Sequence, residues 1–359
     1  MTDLPLSGLR VVDCATLFAG PLIATLMADF GADVIKVEHP RGDPMRSMGW
    51  LKDGISLWWA VAARNKRCIT MNLSHPDGQS VFKELIEDAD VLVENFRPGT
   101  LERWGISPEV LQEINPGLVI VRTTGFGQNG PYAGRPGFGT LAEAMSGFAN
   151  INGWPDKPPA LPPFALGDGV AALAGTFSAM FALWWRDHGG NGQGQVVDLA
   201  IYEPLFWILG PQASVYDQLG EVQRRSGNST PFSAPRNVYR ASDGKWLALS
   251  ASTQSIAERV MRIIGRVDYL AEPWFVGHEG RLAHVDELDE AIQGWIGRHT
   301  SAEVLEAFSV GEGAIAQIYS IQDIVQDPHF LARHSLVRVP HPLLGSVLML
   351  AQYRQHRGR

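Results

Sequence analysis

Short apolar runs alternate with segments of helical spacing over the first 130 residues of the chain. Residues 9–15 and 32–38 are Val-containing runs of the kind found in buried strands, and the helical segment between them ends on Gly31. The alternation continues with strand-like runs at 67–73, 90–96 and 117–127 and helix-like segments at 76–89 and 107–115. Strands alternating with helices predict parallel pairing. The pattern therefore predicts a doubly wound, Rossmann-like α/β domain.

The second half of the chain has a different pattern. A long apolar helix from about Val170 leads through a glycine-rich turn to a strand at 195–201, after which the sequence becomes more polar. The later segments predict a loop at 223–237, a hairpin at 238–252, helices at 254–264 and 284–308, and a return towards the main domain at 313–330. We therefore expect a large domain over 1–210, a small α+β domain over 225–325 and a C-terminal return to the large domain over 326–359.

Composition narrows the class of protein. The 359 residues have a net charge of -8, which argues against nucleic acid as a partner. Cys14 and Cys68 belong to no CxxC pair and predict free thiols in a reducing compartment. The N-terminus lacks a basic region followed by an apolar one, and the apolar stretch at 170–185 is too short to span a bilayer. We expect a cytoplasmic protein without a membrane partner.

Asp168 is the one acidic residue at the front of the long apolar helix. Aspartate is favoured as an N-cap, because its carboxylate accepts backbone N–H bonds at a helix start. The flanking Gly167 and Gly169 also leave room for a ligand, and an ionised carboxylate is a nucleophile. Both interpretations of Asp168, helix cap and catalytic nucleophile, stay open from the spacing alone.

Basic and aromatic residues follow the predicted strand ends. Asn95, Phe96, Arg97 and Arg103 come after the strand at 90–96, where ligands bind in α/β sheets. Such residues suit a nucleotide with phosphates, although a solvated loop is the plainer interpretation. The first turn, "ATLFAGP", lacks the GxGxxG fingerprint, and neither a Walker A motif, a GxSxG elbow nor a metal-binding histidine pair is present.

Several segments, in the same order, resemble the class III coenzyme A (CoA) transferases of the CaiB/BaiF type. This family includes formyl-CoA transferase, carnitine CoA-transferase and α-methylacyl-CoA racemase. The matching segments are "LRVVDCATLFAGP", "GADVIKVEHPRGDPMR", "RNKRCITMNL", "ADVLVENFRPGTLERWG", "TGFGQNGPYAGRPGF" and "LGDGVAALAGTFSAMFAL". The resemblance is strong over about 1–205 and continues weakly to about 340.

The resemblance implies both a fold and a reaction. It implies a Rossmann-like large domain, a smaller domain and an interlocked homodimer. Asp168 falls on the family's catalytic aspartate, which exchanges CoA between an acyl-CoA and a carboxylate through aspartyl anhydride and aspartyl-CoA thioester intermediates. Backbone N–H groups of small residues near Asp168 would stabilise the oxyanions. CoA enters as a substrate, and the resemblance implies neither a metal nor a tightly bound cofactor.

The CoA contacts also follow from the resemblance. The large domain is then the CoA-binding domain, and its contacts lie in the turns after the strands. The residues at the family's CoA-binding positions are Leu17, Phe18, His39, Met71, Ser74, Asn95, Phe96, Arg97 and Arg103. His39 stands where relatives often have an arginine.

Three departures from the family pattern leave alternatives open. Residues 226–237 lack the glycine-rich loop of formyl-CoA transferase, and Phe138 and Gly139 stand where racemases have His and Asp. Gly139 also replaces an acidic residue common in transferases, which removes a helper carboxylate. The alternatives to a CoA-transferase are an α-methylacyl-CoA racemase or epimerase, which needs a second acid/base group, and a non-catalytic acyl-CoA-binding homologue.

Overall fold

The computed structural model describes residues 4–351, so residues 352–359 of the predicted C-terminal segment lie outside the described residues. The strands are β1 (Arg10–Asp13), β2 (Asp33–Glu38), β3 (Leu51–Lys52), β4 (Ile55–Ser56), β5 (Lys66–Thr70), β6 (Val91–Glu94), β7 (Val119–Thr124), β8 (Val196–Ala200), β9 (Arg236–Arg240), β10 (Trp246–Ser250), β11 (Ile315–Gln317), β12 (Leu336–His341) and β13 (Gly345–Leu350).

The helices lie between these strands, and α1, α3 and α5 occupy the places that the alternating pattern predicts. They are α1 (Ala19–Asp29), α2 (Leu57–Ala62), α3 (Pro76–Glu87), α4 (Thr100–Arg103), α5 (Pro108–Ile114), α6 (Gly139–Met145), α7 (Phe148–Ile151), α8 (Leu166–His188), α9 (Tyr202–Ile208), α10 (Gln212–Leu219), α11 (Gln254–Ile263), α12 (His278–Ala283), α13 (Val285–Ile296), α14 (Ser301–Val310), α15 (Ile321–Gln326) and α16 (Pro328–Ala332).

The central element is a six-stranded parallel sheet in the order β5-β2-β1-β6-β7-β8. Successive residues of β1 enter two different cores, because side chains alternate across a strand. Val11 packs with residues of α1, α6 and α8, whereas Val12 packs with Phe82 and Ile86 of α3 and Leu111 of α5. Helices therefore cover both faces of the sheet, and the predicted mixed α/β fold with a parallel central sheet is confirmed.

The chain divides into two compact units. The larger unit holds residues 4–149, Leu161–Pro211 and 334–351, and the smaller one holds Asn150–Ala160 and Gln212–Arg333. The segment Asn150–Ala160 therefore groups with the smaller unit, although the sequence analysis had included it in the large domain.

The smaller unit is built on a three-stranded antiparallel sheet in the order β11-β10-β9. The predicted hairpin at 238–252 is present, with Trp246 opposite Arg240. The helical segment predicted over 284–308 consists of two helices, because α13 ends at Ile296 and the side chains of Thr300 and Glu303 form a capping box that starts α14. The predicted return at 313–330 is wrong. Its β11 pairs with β10, and the chain rejoins the larger unit only at 334.

Helix α8 is 23 residues long, longer than the apolar interval 170–185 suggested. By length and hydropathy alone, it is the one described helix that could cross a membrane, and core helices of soluble proteins pass the same test. One face of α8 carries mostly small residues and is buried against α1 and the sheet. Gly175 approaches Ile23 of α1 so closely that a β-carbon there would collide with the isoleucine side chain.

Candidate active site

Asp168 is the third residue of α8 and is not its N-cap. The helix begins at Leu166, with Ala165 in the cap position, and Ala165 has no side chain that could accept a capping hydrogen bond. The N-cap interpretation of Asp168 is therefore wrong by three residues. A carboxylate in the first turn still lies at the positive end of the helix dipole.

The first turn of α8 lies at the carboxyl edge of the sheet. Helix α8 connects β7 to β8, which run parallel, and it packs on both strands. A helix between parallel strands runs back across the sheet, so its N-terminus lies where the strands end. This is the edge at which ligands bind in folds of this class.

Glycines shape the space around the carboxylate of Asp168. A β-carbon on Gly139 of α6 would overlap Oδ2 of Asp168 and lie 2.9 Å from its Cγ. Gly167 is similarly tight, because a β-carbon there would lie 2.9 Å from the Gly139 carbonyl oxygen. Gly169 differs: apart from its own neighbours and helix, no atom of the described residues lies within 4 Å of such a carbon. The space beside Gly169, the residue after Asp168, is therefore open to a ligand.

Both flanking glycine N–H groups are already engaged. The N–H of Gly167 donates to Oε1 of Glu143 at 3.0 Å, and the N–H of Gly169 donates to the Ala165 carbonyl at 3.0 Å. In this conformation neither is free to stabilise an oxyanion. The expectation that backbone N–H groups of small neighbours serve this role therefore finds no support at these two positions.

Glu143 of α6 brings a second carboxylate to Asp168. It is 2% exposed. Burial, followed by the negative charge of Glu143, raises the pKa of Asp168 from 3.8 to about 6. Sequence reasoning noted the loss of an acidic side chain at Gly139 and missed Glu143, one helical turn further along α6.

The candidate CoA-binding residues follow four neighbouring strands. β5, β2, β1 and β6 are adjacent and parallel, so their carboxyl ends lie at one edge. The structure therefore brings the predicted positions together along this edge, which also holds the first turn of α8. They are Leu17 and Phe18 after β1, His39 after β2, Met71 and Ser74 after β5, and Asn95, Phe96, Arg97 and Arg103 after β6.

The turn between β1 and α1, residues 14–18, has a constrained backbone. Leu17 has a φ of 65°, a left-handed conformation that is rare for residues other than glycine. The Asn95 side chain holds the turn from β6, since its amide accepts from Thr16 N–H and donates to Thr16 C=O, both at 2.8 Å. Phe18 makes an edge contact with Trp58. Asn95 therefore fixes the turn that carries the candidate contacts Leu17 and Phe18.

A buried charge network lies beneath this turn. Lys36 pairs with Asp43 at 3.3 Å and Asp13 at 3.6 Å, and Lys66 pairs with Asp13 at 2.8 Å. All four side chains are at most 1% exposed. Burial opposes the charge of Lys36, but Asp13 and Asp43 outweigh it and raise the pKa of Lys36. Asp43 also accepts from the Leu17 N–H, so the network contacts the residue that has the left-handed backbone conformation.

A second ionic contact braces the segment that follows β6. Arg122 of β7 pairs with Glu94 at 2.6 Å and with Glu102 of α4 at 2.9 Å. Glu94 also accepts from the N–H of Phe96, whose ring packs edge-on against Trp104. The loop from Asn95 to Arg103 is therefore held at both ends.

The remaining candidate side chains vary in exposure. Arg97 and Arg103 are exposed, and Arg103 donates to Thr100 at 2.9 Å. His39 is exposed and accepts from the N–H of Arg41. Ser74 donates to Asn72. Within residues 4–351, no group of three or more His, Cys, Asp or Glu side chains could hold a metal ion.

Comparisons with solved structures define the fold type. A CaiB/BaiF family protein from Brucella suis is 29% identical to this chain, with a TM-score of 0.82 and coverage of 98% of this chain and 95% of that one. A protein from Mycobacterium tuberculosis is 25% identical, with a TM-score of 0.85 and coverage of 97% and 91%. The chain therefore has the CaiB/BaiF fold.

The family follows from the sequence. Residues 6–358 match CoA-transferase family III, and the chain belongs to that family. It is 41% identical over 350 residues to succinyl-CoA–D-citramalate CoA-transferase of Chloroflexus aurantiacus, covering 96% of this chain and 86% of the relative. The beta subunit of succinyl-CoA–L-malate CoA-transferase from the same organism is 40% identical over 353 residues, covering 97% and 87%. The predicted enzyme class, a CoA-transferase, is confirmed.

Proposed function

We propose that this chain transfers CoA from succinyl-CoA to a small hydroxydicarboxylate by covalent catalysis at Asp168. The observation that supports this most directly is a carboxylate with a pKa near 6, placed in the first turn of α8 beside open space. At pH 7 such a group is about nine-tenths ionised yet more basic than an ordinary aspartate. It is therefore available as a nucleophile of enhanced reactivity.

The proposed reaction has four covalent steps. One Oδ of Asp168 attacks the thioester carbonyl and the C–S bond breaks. The CoA thiolate departs, and a mixed aspartyl anhydride remains on the enzyme. The thiolate then attacks Cγ of Asp168, which releases succinate and gives an aspartyl-CoA thioester. The acceptor carboxylate displaces CoA from that thioester, and the returning thiolate attacks the acceptor's acyl carbon to free Asp168. Thioester energy is conserved throughout, so each step exchanges one activated acyl group for another.

The proposed CoA site is the carboxyl edge formed by β5, β2, β1 and β6. The exposed guanidinium groups of Arg97 and Arg103 suit phosphate groups. The Leu17–Phe18 turn and Met71 supply apolar surface for the adenine and pantetheine portions. Asn95 and Phe96 hold the turn and the loop in place through their protein contacts.

The choice of substrate rests on the relatives. The two relatives described above are named for succinyl-CoA as donor and for citramalate or malate as acceptor. A 38% identical alpha subunit is named for the same donor with malate. Citramalate and malate are both short hydroxydicarboxylates, which defines the acceptor class proposed here.

We also propose a homodimer that covers the outer face of α8. Leu173, Phe177, Phe181 and Trp184 follow one another at helical spacing and are 55–64% exposed. Contiguous apolar surface of this kind marks a protein interface. Light scattering should give twice the chain mass, and a Phe177→Asp substitution should shift the protein towards monomer. A wild-type protein that is monomeric at micromolar concentration would exclude the dimer.

The covalent mechanism is tested by trapping the acylated enzyme. Wild type, Asp168→Ala and Asp77→Ala are each incubated with succinyl-CoA, and intact mass is measured before and after hydroxylamine treatment. Asp77 is a matched control, because it is a 93% exposed carboxylate in the first turn of α3. We expect an adduct, converted to a hydroxamate at residue 168, in wild type and Asp77→Ala only.

Two outcomes would reject the proposal. An adduct that persists in Asp168→Ala would place the nucleophile elsewhere. Binding of succinyl-CoA without an adduct or transfer would favour the alternative functions. Solvent deuterium entering the α-carbon of a 2-methylacyl-CoA would then indicate a racemase, and its absence a binding protein.

A further inference from the structure

Glu143 is buried on α6 with its carboxylate directed at the start of α8. Its Oε1 accepts from the Gly167 N–H at 3.0 Å, and Gly167 precedes Asp168. The first N–H groups of a helix have no partner within the helix. An acceptor outside the helix that binds one of these N–H groups therefore fixes the first turn. Glu143 therefore holds the backbone on which the nucleophile stands.

The burial of Glu143 is costly if its role is only structural. A buried carboxylate requires compensation by a cation or by several hydrogen bonds. Among the described residues, no lysine or arginine pairs with it, and the Gly167 N–H donates to it. A glutamine could accept the same hydrogen bond without the charge. The negative charge itself therefore needs an explanation.

Asp168 is the group on which that charge acts. Burial first, and then the charge of Glu143, raises the pKa of Asp168. Helix α8 packs against α1, α6, α9, β7 and β8. Charged side chains on those elements include Asp29, Glu143, Glu203, Arg122 and Asp198, and of these Glu143 alone contributes to the shift.

Acylation changes the balance between the two carboxylates. In the free enzyme the charge of Glu143 opposes the ionisation of Asp168 in a partly buried site. In the aspartyl anhydride and the aspartyl thioester, Asp168 is neutral and the repulsion is gone. A repulsion that exists only in the free enzyme lowers the barrier to the acylated forms, because the rate depends on the free-energy difference between the free enzyme and the transition state.

We propose that Glu143 is a positioning residue of the transfer reaction, which anchors the Gly167 N–H and destabilises the free Asp168 carboxylate relative to its neutral acylated forms. This inference rests on the proposed role of Asp168 as nucleophile. It assigns the second carboxylate of the site to α6, at a position where it contacts the backbone of α8 and not the reacting atoms.

Three variants separate charge from anchoring. Glu143→Gln keeps an acceptor for Gly167 and removes the charge, Glu143→Asp keeps the charge on a shorter side chain, and Glu143→Ala removes both. The control is Glu113→Gln, an exposed glutamate of α5. Each is assayed for kcat and KM with succinyl-CoA from pH 5 to pH 8, for adduct yield and for thermal stability.

We expect Glu143→Gln to lower kcat at pH 8 by about tenfold with little change in KM, and Glu143→Ala by about a hundredfold. The acid limb of kcat/KM should move to lower pH in Glu143→Gln, because the pKa of Asp168 falls once the neighbouring charge is gone. Glu143→Asp should keep the wild-type acid limb while losing kcat. Glu113→Gln should match wild type in every measurement.

The inference is overturned if Glu143→Gln keeps the wild-type acid limb and adduct yield, or if its only change is a lower Tm. That result would still leave the nucleophile intact, provided Asp168→Ala forms no adduct. An adduct in Asp168→Ala would instead reject the proposed function. The two failures are therefore distinguishable in one set of measurements.

Discussion

The turn between β1 and α1 and the first turn of α8 bury charge at the same edge of the sheet, with opposite balance. Beneath the first turn, Asp13 and Asp43 are matched by Lys36 and Lys66. At the second, Asp168 and Glu143 are both acidic and face backbone and glycine. Balanced charges fix a conformation, whereas unbalanced charges raise the free energy of the resting state and favour its conversion. The first arrangement suits binding and the second suits chemistry.

Removing a cation from the balanced network should have the largest effect on stability. Lys36→Met leaves Asp43 without its cation and should lower the free energy of unfolding by about 3–5 kcal/mol. It should also raise KM for acyl-CoA, because Asp43 holds the Leu17 N–H. Urea denaturation and steady-state kinetics measure both. A loss below about 1 kcal/mol would mean that the network does not stabilise the turn.

Gly139→Ala should break the second site without unfolding it. The added methyl group overlaps Oδ2 of Asp168 and lies too close to its Cγ, so the Asp168 side chain must move, while alanine itself favours the helix α6. A displaced nucleophile should lower kcat by about a hundredfold, with Tm within a few degrees of wild type. Gly294→Ala is the matched control, since a β-carbon on this glycine of α13 meets no described atom within 4 Å outside its own neighbours and helix. Equal kcat for the two variants would contradict the prediction.

Neutralising Asp168, the proposed nucleophile, should stabilise the protein at neutral pH. The pKa of Asp168 rises from 3.8 to about 6 on folding, so the native state binds the proton more tightly and loses stability as pH increases through that window. The shift corresponds to at most about 3 kcal/mol, and partial exposure reduces this to about 1–2 kcal/mol.

Asp168→Asn removes this penalty. Its free energy of unfolding at pH 8 should exceed that of wild type by about 1–2 kcal/mol, and the difference should be small at pH 4 and vanish at lower pH, where Asp168 becomes protonated in both states. Urea denaturation at the two pH values gives the comparison. A gain that is equal at both would show that electrostatics is not the cause.

An exposed ion pair provides the smallest expected effect. Arg67 and Asp33 meet at 2.6 Å near the amino ends of β5 and β2, and both side chains are more than half exposed. Arg67→Gln should change the free energy of unfolding by less than about 1 kcal/mol and leave kcat unchanged. A loss comparable to that of Lys36→Met would show that burial does not determine how much each ion pair contributes to stability.

Local pattern was sufficient for the parallel sheet, and it also singled out Asp168 as the candidate nucleophile. The inner strands β2, β1, β6 and β7 are largely buried, so they contain apolar runs that stand out in the sequence. Asp168 was visible because it is a lone acid at the start of a long apolar helix. A charge inside an apolar strand was also a usable signal, and Lys36 in "DVIKVE" could have indicated the buried network.

Glu143 and the unit boundaries could not be predicted in this way. In "LAEAMSG", Glu143 resembles any surface glutamate of a helix, and its burial arises from the packing of α6 on α8, a contact between elements far apart in the chain. The segment Asn150–Ala160 joins the smaller unit for the same kind of reason, since Arg225 donates to the carbonyls of Asn150 and Trp154. Long-range contacts of this kind leave no local periodicity.

The contact between Gly139 and Asp168 has a genetic consequence. Any single-base change that turns a glycine codon into another amino-acid codon adds a β-carbon, and at position 139 that atom overlaps the nucleophile's oxygen. In a deep mutational scan selected for turnover, this codon should therefore tolerate only synonymous changes. Even the small residues alanine and serine should be rejected. A parallel scan selected only for folded protein should accept those same two residues, and the difference between the two maps would mark position 139 as part of the active site although it has no side chain of its own.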